Sequence, residues 1–454
     1  MLHSLTIHDV GPLVRAEMAL RPRLNVVTGD NGLGKSFLLE LAWWVLTRTW
    51  ASSPAWPRPE QQAHAHVHWR SSTTTHPVNP LVPSKSGSPA RFDQPSQSWR
   101  ERVGNDIHDA PTLFALADGS FAAWDPLRHV RWVEDHDTGG FDPESVGVTR
   151  FTSDELVHGL EHQGRAVSNG LIRDWVSWQR ERPDESGRFA VLERWPDGSG
   201  TRAPTPGPAP TSGCREVGAP EHCGRRVFCT LPHSWGRARV GARETVCSTH
   251  RATALEAVLA ALSEDPATPL RPGRPMRVFV DDAREFPTLE FAYGTTPLIH
   301  TSSAVRRIVG LAYLLVWAWH EHLGAAKLRG QAPASQIVVL LDEVENHLHP
   351  RWQRCILPAL LAAIEALPGS PRVQLIATTH APLTLAGLEP VFDPASDAIF
   401  HLAEAKTDRG TEAVLSELPW SPQGDAVNWL VSESFGLQQA RSLDAERAQP
   451  LHPR

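Results

Sequence analysis

The run Gly29-Asp30-Asn31-Gly32-Leu33-Gly34-Lys35-Ser36 fits the pattern GxxxxGK[ST], a spacing that wraps backbone N–H groups around phosphate oxygens. Glycine supplies the chain reversals without a Cβ clash, and the helix that follows adds partial positive charge at its N-terminus. Lys35 offers an ammonium to the β- and γ-phosphates of a nucleotide, and Ser36 offers a hydroxyl to its magnesium. The flanks suit a phosphate loop, since residues 24–28 (LNVVT) form a short β-type run and residues 36–44 (SFLLELAWW) read as a helix. A glycine-rich turn that matches by chance would not need both neighbours.

A second group of residues carries the complementary charge. Residues 337–350, IVVLLDEVENHLHP, are an apolar strand ending in two adjacent carboxylates. Asp342 suits a magnesium ligand, and Glu343 suits a general base that polarises an attacking water. A core strand capped by surface acids explains one carboxylate but not the tail from Glu345 to Pro350. Residues 373–382, VQLIATTHAP, deliver His380 at the end of another β-type run. Between the two halves, Thr301, Ser302, Ser303 and Ala304 open an apolar helical stretch, for which an ordinary N-cap by Ser302 or Ser303 is the plain alternative.

The order of these motifs resembles ABC-type ATPases of the SMC and overcoming-lysogenization-defect branch; DEVENHLHP in particular looks like their Walker B and D-loop. The resemblance covers residues 1–50 and about 271–435. It implies an α/β head with a mostly parallel sheet, split by a large inserted α+β region. It implies ATP and Mg²⁺ as ligands, with the cradle formed by residues 29–36 and the metal held by Ser36 and Asp342. It also implies catalytic roles for Glu343 and for His380 as the γ-phosphate contact. Ser302 and Ser303 would touch the γ-phosphate of an opposite subunit in an ATP-dependent homodimer or higher oligomer. Ala304 departs from the pattern where glycine is usual, and its methyl is expected to hinder that approach. Gln179 is the candidate for the Q-loop glutamine. The motif style is closest to ATPase subunits of bacterial anti-phage systems such as Septu, which works with an HNH nuclease. DNA is a possible further partner. A DNA-repair or chromosome-associated clamp, a transporter subunit and an ATP-gated scaffold with little turnover are the other readings.

Around these motifs the texture divides the chain into an ATPase part (1–50), an inserted part (51–270) with the Pro/Gly-rich stretch 196–213, the rest of the head (271–435) and a polar tail (436–454). With 41% hydrophobic and 21% charged residues over 454 positions, the composition is globular. A net charge of −7 argues against a general nucleic-acid coat, so any DNA contact must be a local patch. The longest apolar run, residues 308–319, is shorter than the ~20 residues a membrane helix needs, and the N-terminal residues lack a secretory pattern, so a cytoplasmic, membrane-free protein is expected. Cys214, Cys223, Cys229 and Cys247, with His222, His233 and His250, have no CxxC pair, so reduced thiols are the plain reading against zinc. His64, His66 and His68 alternate as on one strand face. Asp281, Asp282 and Arg284 read as a solvated turn, and residues 425–440 as an amphipathic helix.

Overall fold

The computed structural model describes residues 1–59, 64–71, 90–100, 110–128, 148–162, 165–180, 241–407 and 410–437. Residues 196–213, the thiols of Cys214, Cys223 and Cys229, and residues 438–454 lie outside these. So do the side chains of Cys247 and His250.

The chain opens with a hairpin, β1 (Leu2–Val10) and β2 (Leu13–Ala19). Strict alternation sends Leu5, Ile7, Ala16 and Met18 inward and Thr6, His8, Arg15 and Glu17 outward. β3 (Leu24–Gly29) is apolar on both faces, the mark of a strand covered on both sides. The phosphate-type loop follows it and leads into α1 (Lys35–Thr47). Then β4 (His66–Ser71), β5 (Ala90–Asp93) and β6 (Ser98–Arg100) extend the hairpin into a five-stranded antiparallel sheet in the order β2-β1-β4-β5-β6.

β7 (Thr112–Ala115), β8 (Phe121–Trp124) and β9 (Thr149–Phe151) belong to a second sheet. Beyond them come α2 (Ser153–His158), the small hairpin β10 (Leu160–His162) and β11 (Arg165–Ser168), α3 (Leu171–Arg180) and α4 (Gly241–Ala261). A three-stranded sheet, β12 (Arg271–Arg277), β13 (Glu285–Phe291) and β14 (Gly294–Pro297), precedes the long α5 (Ser303–Arg329). The remaining elements are β15 (Gln336–Leu341), α6 (Pro350–Glu365), β16 (Arg372–Thr378), α7 (Pro382–Leu388), β17 (Asp397–Thr407), β18 (Gly410–Leu418) and α8 (Ala426–Val431).

The second sheet has eight strands in the order β18-β17-β3-β16-β15-β7-β8-β9. The five from β17 to β7 are parallel, with antiparallel partners at both edges. α1 lies between the two sheets: Trp43, Trp44 and Leu41 share a core with Ile7 and Trp69 on one side and Val338, Leu340 and Ile376 on the other. The opposite face of the parallel sheet, through Val339, Leu341 and Leu375, packs on α5, α6 and α4. Described parts of the stretch 51–270 belong to the head itself: β4–β6 complete the first sheet, and β7–β9 close one edge of the second.

The apolar run 308–319 is the buried middle of α5, wrapped by that core rather than by lipid. No helix among the described residues is long and apolar enough to cross a membrane. The helix expected over 425–440 is much shorter: α8 ends at Val431 and residues 432–437 turn instead. Trp429 explains the docking. It is buried, and its indole N–H donates to Glu389 Oε1 at 2.7 Å.

Candidate functional site

Three neighbouring strands of the parallel sheet, β3, β16 and β15, end at one edge, and each hands over to a loop with chemistry in it. That edge, at the carboxyl ends of parallel strands, is where α/β sheets bind ligands. After β3 the backbone turns at Gly29 (φ 129°), Gly32 (φ 81°) and Gly34 (φ 107°), all in the region that favours glycine. Two of these are enforced by close neighbours. A Cβ on Gly29 would stand 2.0 Å from the Leu402 carbonyl oxygen of β17, and one on Gly34 would stand 2.6 Å from Pro12 Cγ. The loop is therefore pinned from below and from the side, while a Cβ on Gly32 would meet nothing within 4 Å. Asp30, Asn31 and Gly32 lie at the rim, and Leu33 and Phe37 pack onto the inter-sheet core.

Lys35 opens α1 with its ammonium folded back into this loop, donating to the carbonyls of Gly29 (2.8 Å) and Asp30 (2.6 Å). Burial holds its pKa below the usual lysine value, against the opposing pull of Asp30, Glu343, Asp342 and Glu345. Four carboxylates thus lie in the field of one half-desolvated ammonium. Ser36 sits one residue further on, at the first turn of α1.

β15 delivers Asp342, which is buried, and its Oδ1 accepts a hydrogen bond from Thr378 Oγ1 at 2.7 Å. The same Thr378 hydroxyl accepts from the Glu343 backbone N–H at 2.8 Å, so one side chain of β16 holds both acidic positions. Glu343 has φ 47°, a conformation rare for a residue with a Cβ and found where surrounding structure enforces it. Its Oε1 stands 3.8 Å from His380 Nε2. His380 is anchored through its backbone N–H, which donates to Glu345 Oε1, while Glu345 Oε2 accepts from Thr379 Oγ1 at 2.7 Å. Burial, then the nearby Lys35 charge, lowers the His380 pKa against the three acids 342, 343 and 345, so the ring is neutral near pH 7. Past the acids, Asn346 Nδ2 donates to the Ala117 carbonyl (2.9 Å), and His349 caps α6 with Pro350 at its first turn.

Lys35, Asp342, Glu343 and His380 therefore face one space. A glycine cradle, an ammonium, a hydroxyl at Ser36 and a hard oxygen donor at Asp342 are the donor set that a magnesium–nucleotide complex requires. The residues present fit that ligand.

The serines expected to reach a second subunit open α5. Ser302 is the N-cap of α5, its Oγ accepting from the Val305 N–H at 3.3 Å, and Ser303 is exposed beside it. Ala304 is 8% exposed and its methyl packs into the chain's own core. Gln179 is tied to the three-stranded sheet, where its Nε2 donates to the Gly273 carbonyl at 3.1 Å, and not to the phosphate-type loop. Asp282 forms a tight turn with Arg284 (2.6 Å), which holds its carboxyl down to about 2. Among the described residues no three His, Cys, Asp or Glu side chains gather as a metal site, and His66 stacks instead on His8 at 4.4 Å.

Two residues were invisible as site members in the sequence. Thr378 was only a strand residue, although the doubled threonine before His380 was a signal. Arg307 is the other. It is half-buried near the start of α5, its Nη1 is sealed from solvent without a hydrogen-bond partner among the described residues, and Glu343, Glu345, Asp118 and Asp342 act on it electrostatically.

Fold and site together make an α/β head with a phosphate-type loop facing a pair of acids, an arrangement that resembles ABC-type ATPases of the AAA class. Residues 311–386 match the AAA_21 family, "AAA domain, putative AbiEii toxin, Type IV TA system". Among curated proteins the chain is similar to Septu protein PtuA of Bacillus mycoides (strain KBAB4), 49% identical over 51 residues, which is 11% of this chain and 6% of that one. It is also similar to Septu protein PtuA of Bacillus thuringiensis, 28% identical over 108 residues, 23% of this chain and 24% of that one. The chain thus spans well under two thirds of the length of these relatives. Solved structures that align with it include an SMC head bound to the C-terminal winged-helix domain of ScpA, with TM-score 0.39, 11% identity, and 92% and 98% of the two chains covered. The recombination mediator RecF bound to an ATP analogue aligns with TM-score 0.32 at 11% identity, over 92% of this chain and 98% of that one.

Proposed function

We propose that this chain binds and hydrolyses ATP, and that it serves as the ATPase subunit of a bacterial anti-phage complex with a partner nuclease of the HNH type. The observation that carries the chemistry is the convergence of Lys35, Asp342, Glu343 and His380 at three adjoining strand ends, with Thr378 fixing both acids at once. The defence role rests on the similarity to Septu PtuA.

In this reading Gly29 to Ser36 cradle the phosphates, and Lys35 leaves the loop carbonyls for the β- and γ-phosphate oxygens. Ser36 and Asp342 hold Mg²⁺, which when bound neutralises phosphate charge. Glu343, held at its unusual backbone angle, accepts the proton of the attacking water. Neutral His380, 3.8 Å away, donates a hydrogen bond to the γ-phosphate and reports its presence. Two heads would associate when ATP is bound, with Ser302 and Ser303 meeting the partner's nucleotide.

The experiment is Glu343→Gln. The amide keeps the shape and cannot accept a proton, so ATP affinity should stay within about twofold while turnover falls by about 10²-fold or more. Undiminished phosphate release would overturn the assignment. A low-turnover scaffold is the second reading, favoured by Ser302, whose hydroxyl already serves as a helix cap. That reading expects tight ATP binding with negligible release in the wild type itself.

A further inference from the structure

At the edge of the parallel sheet opposite the phosphate-type loop, the turn after β8 buries a carboxylate that no cation among the described residues neutralises. β8 runs antiparallel to β7, with Trp124 opposite Thr112, so Asp125 lies where β7 begins, and the ATP site lies where β7 and β15 end. Asp125 is 7% exposed. Its Oδ1 accepts from the Leu127 N–H at 2.9 Å and from His322 Nδ1 at 3.1 Å. Its Oδ2 is covered and has no hydrogen-bond partner among the described residues. His322 of α5 adds no charge. Its Nε2 accepts from the Ala334 N–H at 2.8 Å, so the ring's one proton sits on Nδ1 and the imidazole is neutral.

A partly open recess of about 270 Å³ adjoins this acid, between the end of β8 and the C-terminal half of α5. Buried Trp124, Asp125, Trp317 and Ala318 form its floor, and the part-exposed side chains of Arg128 and Glu321 form its mouth. Glu321 is already matched, by Arg128 at 4.0 Å and by Arg251 at 3.6 Å. The Arg128 guanidinium stands 5.3 Å from the centroid of the Trp317 ring, turned to that ring and to Glu321 and not to Asp125.

We propose that this recess binds a small primary alkylammonium ion, its head on Asp125 Oδ2 and its stem against the indoles of Trp124 and Trp317.

The chemistry of the walls selects the ligand. A buried carboxylate oxygen without a partner costs stability until a donor reaches it, and a charged donor offsets more of that cost than a neutral one. A hard metal ion needs several oxygen ligands, and among the described residues no three His, Cys, Asp or Glu side chains gather. Anions are repelled by the same carboxylate. An indole face attracts a cation, as Arg128 over Trp317 illustrates, and Ala318 completes an apolar wall for the stem. One charged acceptor set among aromatic and apolar walls is how pockets orient small organic cations. Arg128 and Glu321 are exposed enough to turn aside and admit the head. The site is separate from the nucleotide's: eleven residues of α5 between Arg307 and Ala318 span about 16 Å.

The test uses the full chain without nucleotide, titrated with n-butylammonium chloride against sodium chloride at constant ionic strength, and followed by calorimetry and by the urea midpoint. The wild type should bind a single equivalent, in the millimolar range that so few non-hydrogen atoms allow, and its midpoint should rise with ligand. Asp125→Asn keeps the side-chain shape and should weaken binding at least about tenfold, with a ligand-free midpoint no lower than the wild type's. Ala318→Val keeps the charge, fills the wall and should weaken binding too. n-Butanol, which lacks the charge, and tetramethylammonium, which lacks the N–H, should not bind at the same concentrations. Neither heat nor a midpoint shift with butylammonium would overturn the proposal, as would wild-type binding by Asp125→Asn. Should Asp125→Asn fail to fold, Ala318→Val decides: undiminished binding there overturns the site. Displacement of the amine when potassium replaces sodium would also overturn it, and would make the recess a site for an inorganic cation.

Discussion

Thr378 makes two bonds with one hydroxyl, donating to Asp342 Oδ1 and accepting from the Glu343 N–H. Thr378→Val keeps the β-branched shape and deletes both. A buried carboxylate loses its donor and a backbone N–H loses its acceptor, which should cost about 1–3 kcal/mol in urea unfolding. Turnover should fall with ATP affinity nearly unchanged, because the acids lose their aim and the phosphate cradle does not; equal loss in both would place Thr378 in binding instead. Arg307 poses the opposite case. Among the described residues its sealed Nη1 has no hydrogen-bond partner and no carboxylate stands within ion-pair distance, so only the longer-range pull of Glu343, Glu345, Asp118 and Asp342 offsets the cost of burying the charge. Arg307→Met fills similar volume without that charge and should raise stability by about 1 kcal/mol, read as a higher urea midpoint at constant m. A lower midpoint would show that the guanidinium is paired in solution. These two residues also mark the limit of the sequence. Lys35 and Ser36 announce themselves because their chemistry is local, within one eight-residue pattern. Thr378 and Arg307 acquire meaning only from the register of β16 on β15 and from where the start of α5 meets the acid-bearing loop, neither of which a linear spacing encodes.

At the scale of elements, the strands that carry chemistry were legible because each is an apolar run with a turn residue behind it. The elements that complete the sheets were not. β7, β8 and β9 are three or four residues long, lie inside a Pro-, Gly- and His-rich stretch, and are defined by pairing with β15 and each other. The helix expected over 425–440 shows the converse error. Trp429 and Leu430 gave it an apolar pattern, but Trp429 is satisfied by Glu389 and by ring contact with Trp420, so one short helix suffices. The start of α5 yields a prediction against a simple motif reading. Glycine at 304 would restore the usual signature pattern, yet the Ala304 methyl is packed in the core and not presented outward. Ala304→Gly should therefore lower stability by about 1 kcal/mol through helix propensity, with further loss from the missing contact. At matched folded fraction it should raise neither ATPase rate nor ATP-dependent association by light scattering. A gain in both would mean that the methyl does obstruct a partner.

At the scale of the whole molecule, burial has put several histidines under the same constraint. His3, His8, His380 and His401 all have pKa values held below 6.5, with burial the largest cause in each. They come from both sheets: β1 supplies two, His401 lies on β17 beside the phosphate-type strand, and His380 follows β16. A depressed pKa means that the unfolded chain binds protons more readily than the folded one. The stability these groups contribute is therefore fully present above 6.5 and is lost as pH falls through their folded values. The chain should lose stability between about pH 6.5 and 5, before most carboxylates protonate. Glu40 works in the opposite direction: burial between the sheets raises its pKa, so its penalty is relieved as the pH falls through that raised value. Urea midpoints measured from pH 7.5 downward should fall first, with net proton uptake on unfolding, and the slope should flatten as Glu40 takes up its proton. His380→Gln and His401→Gln together should make the descent shallower without moving the midpoint at high pH by a comparable amount. A flat profile between pH 7 and 5 would mean that these rings titrate in the fold as they do in water, and that the neutral His380 facing Glu343 has another cause.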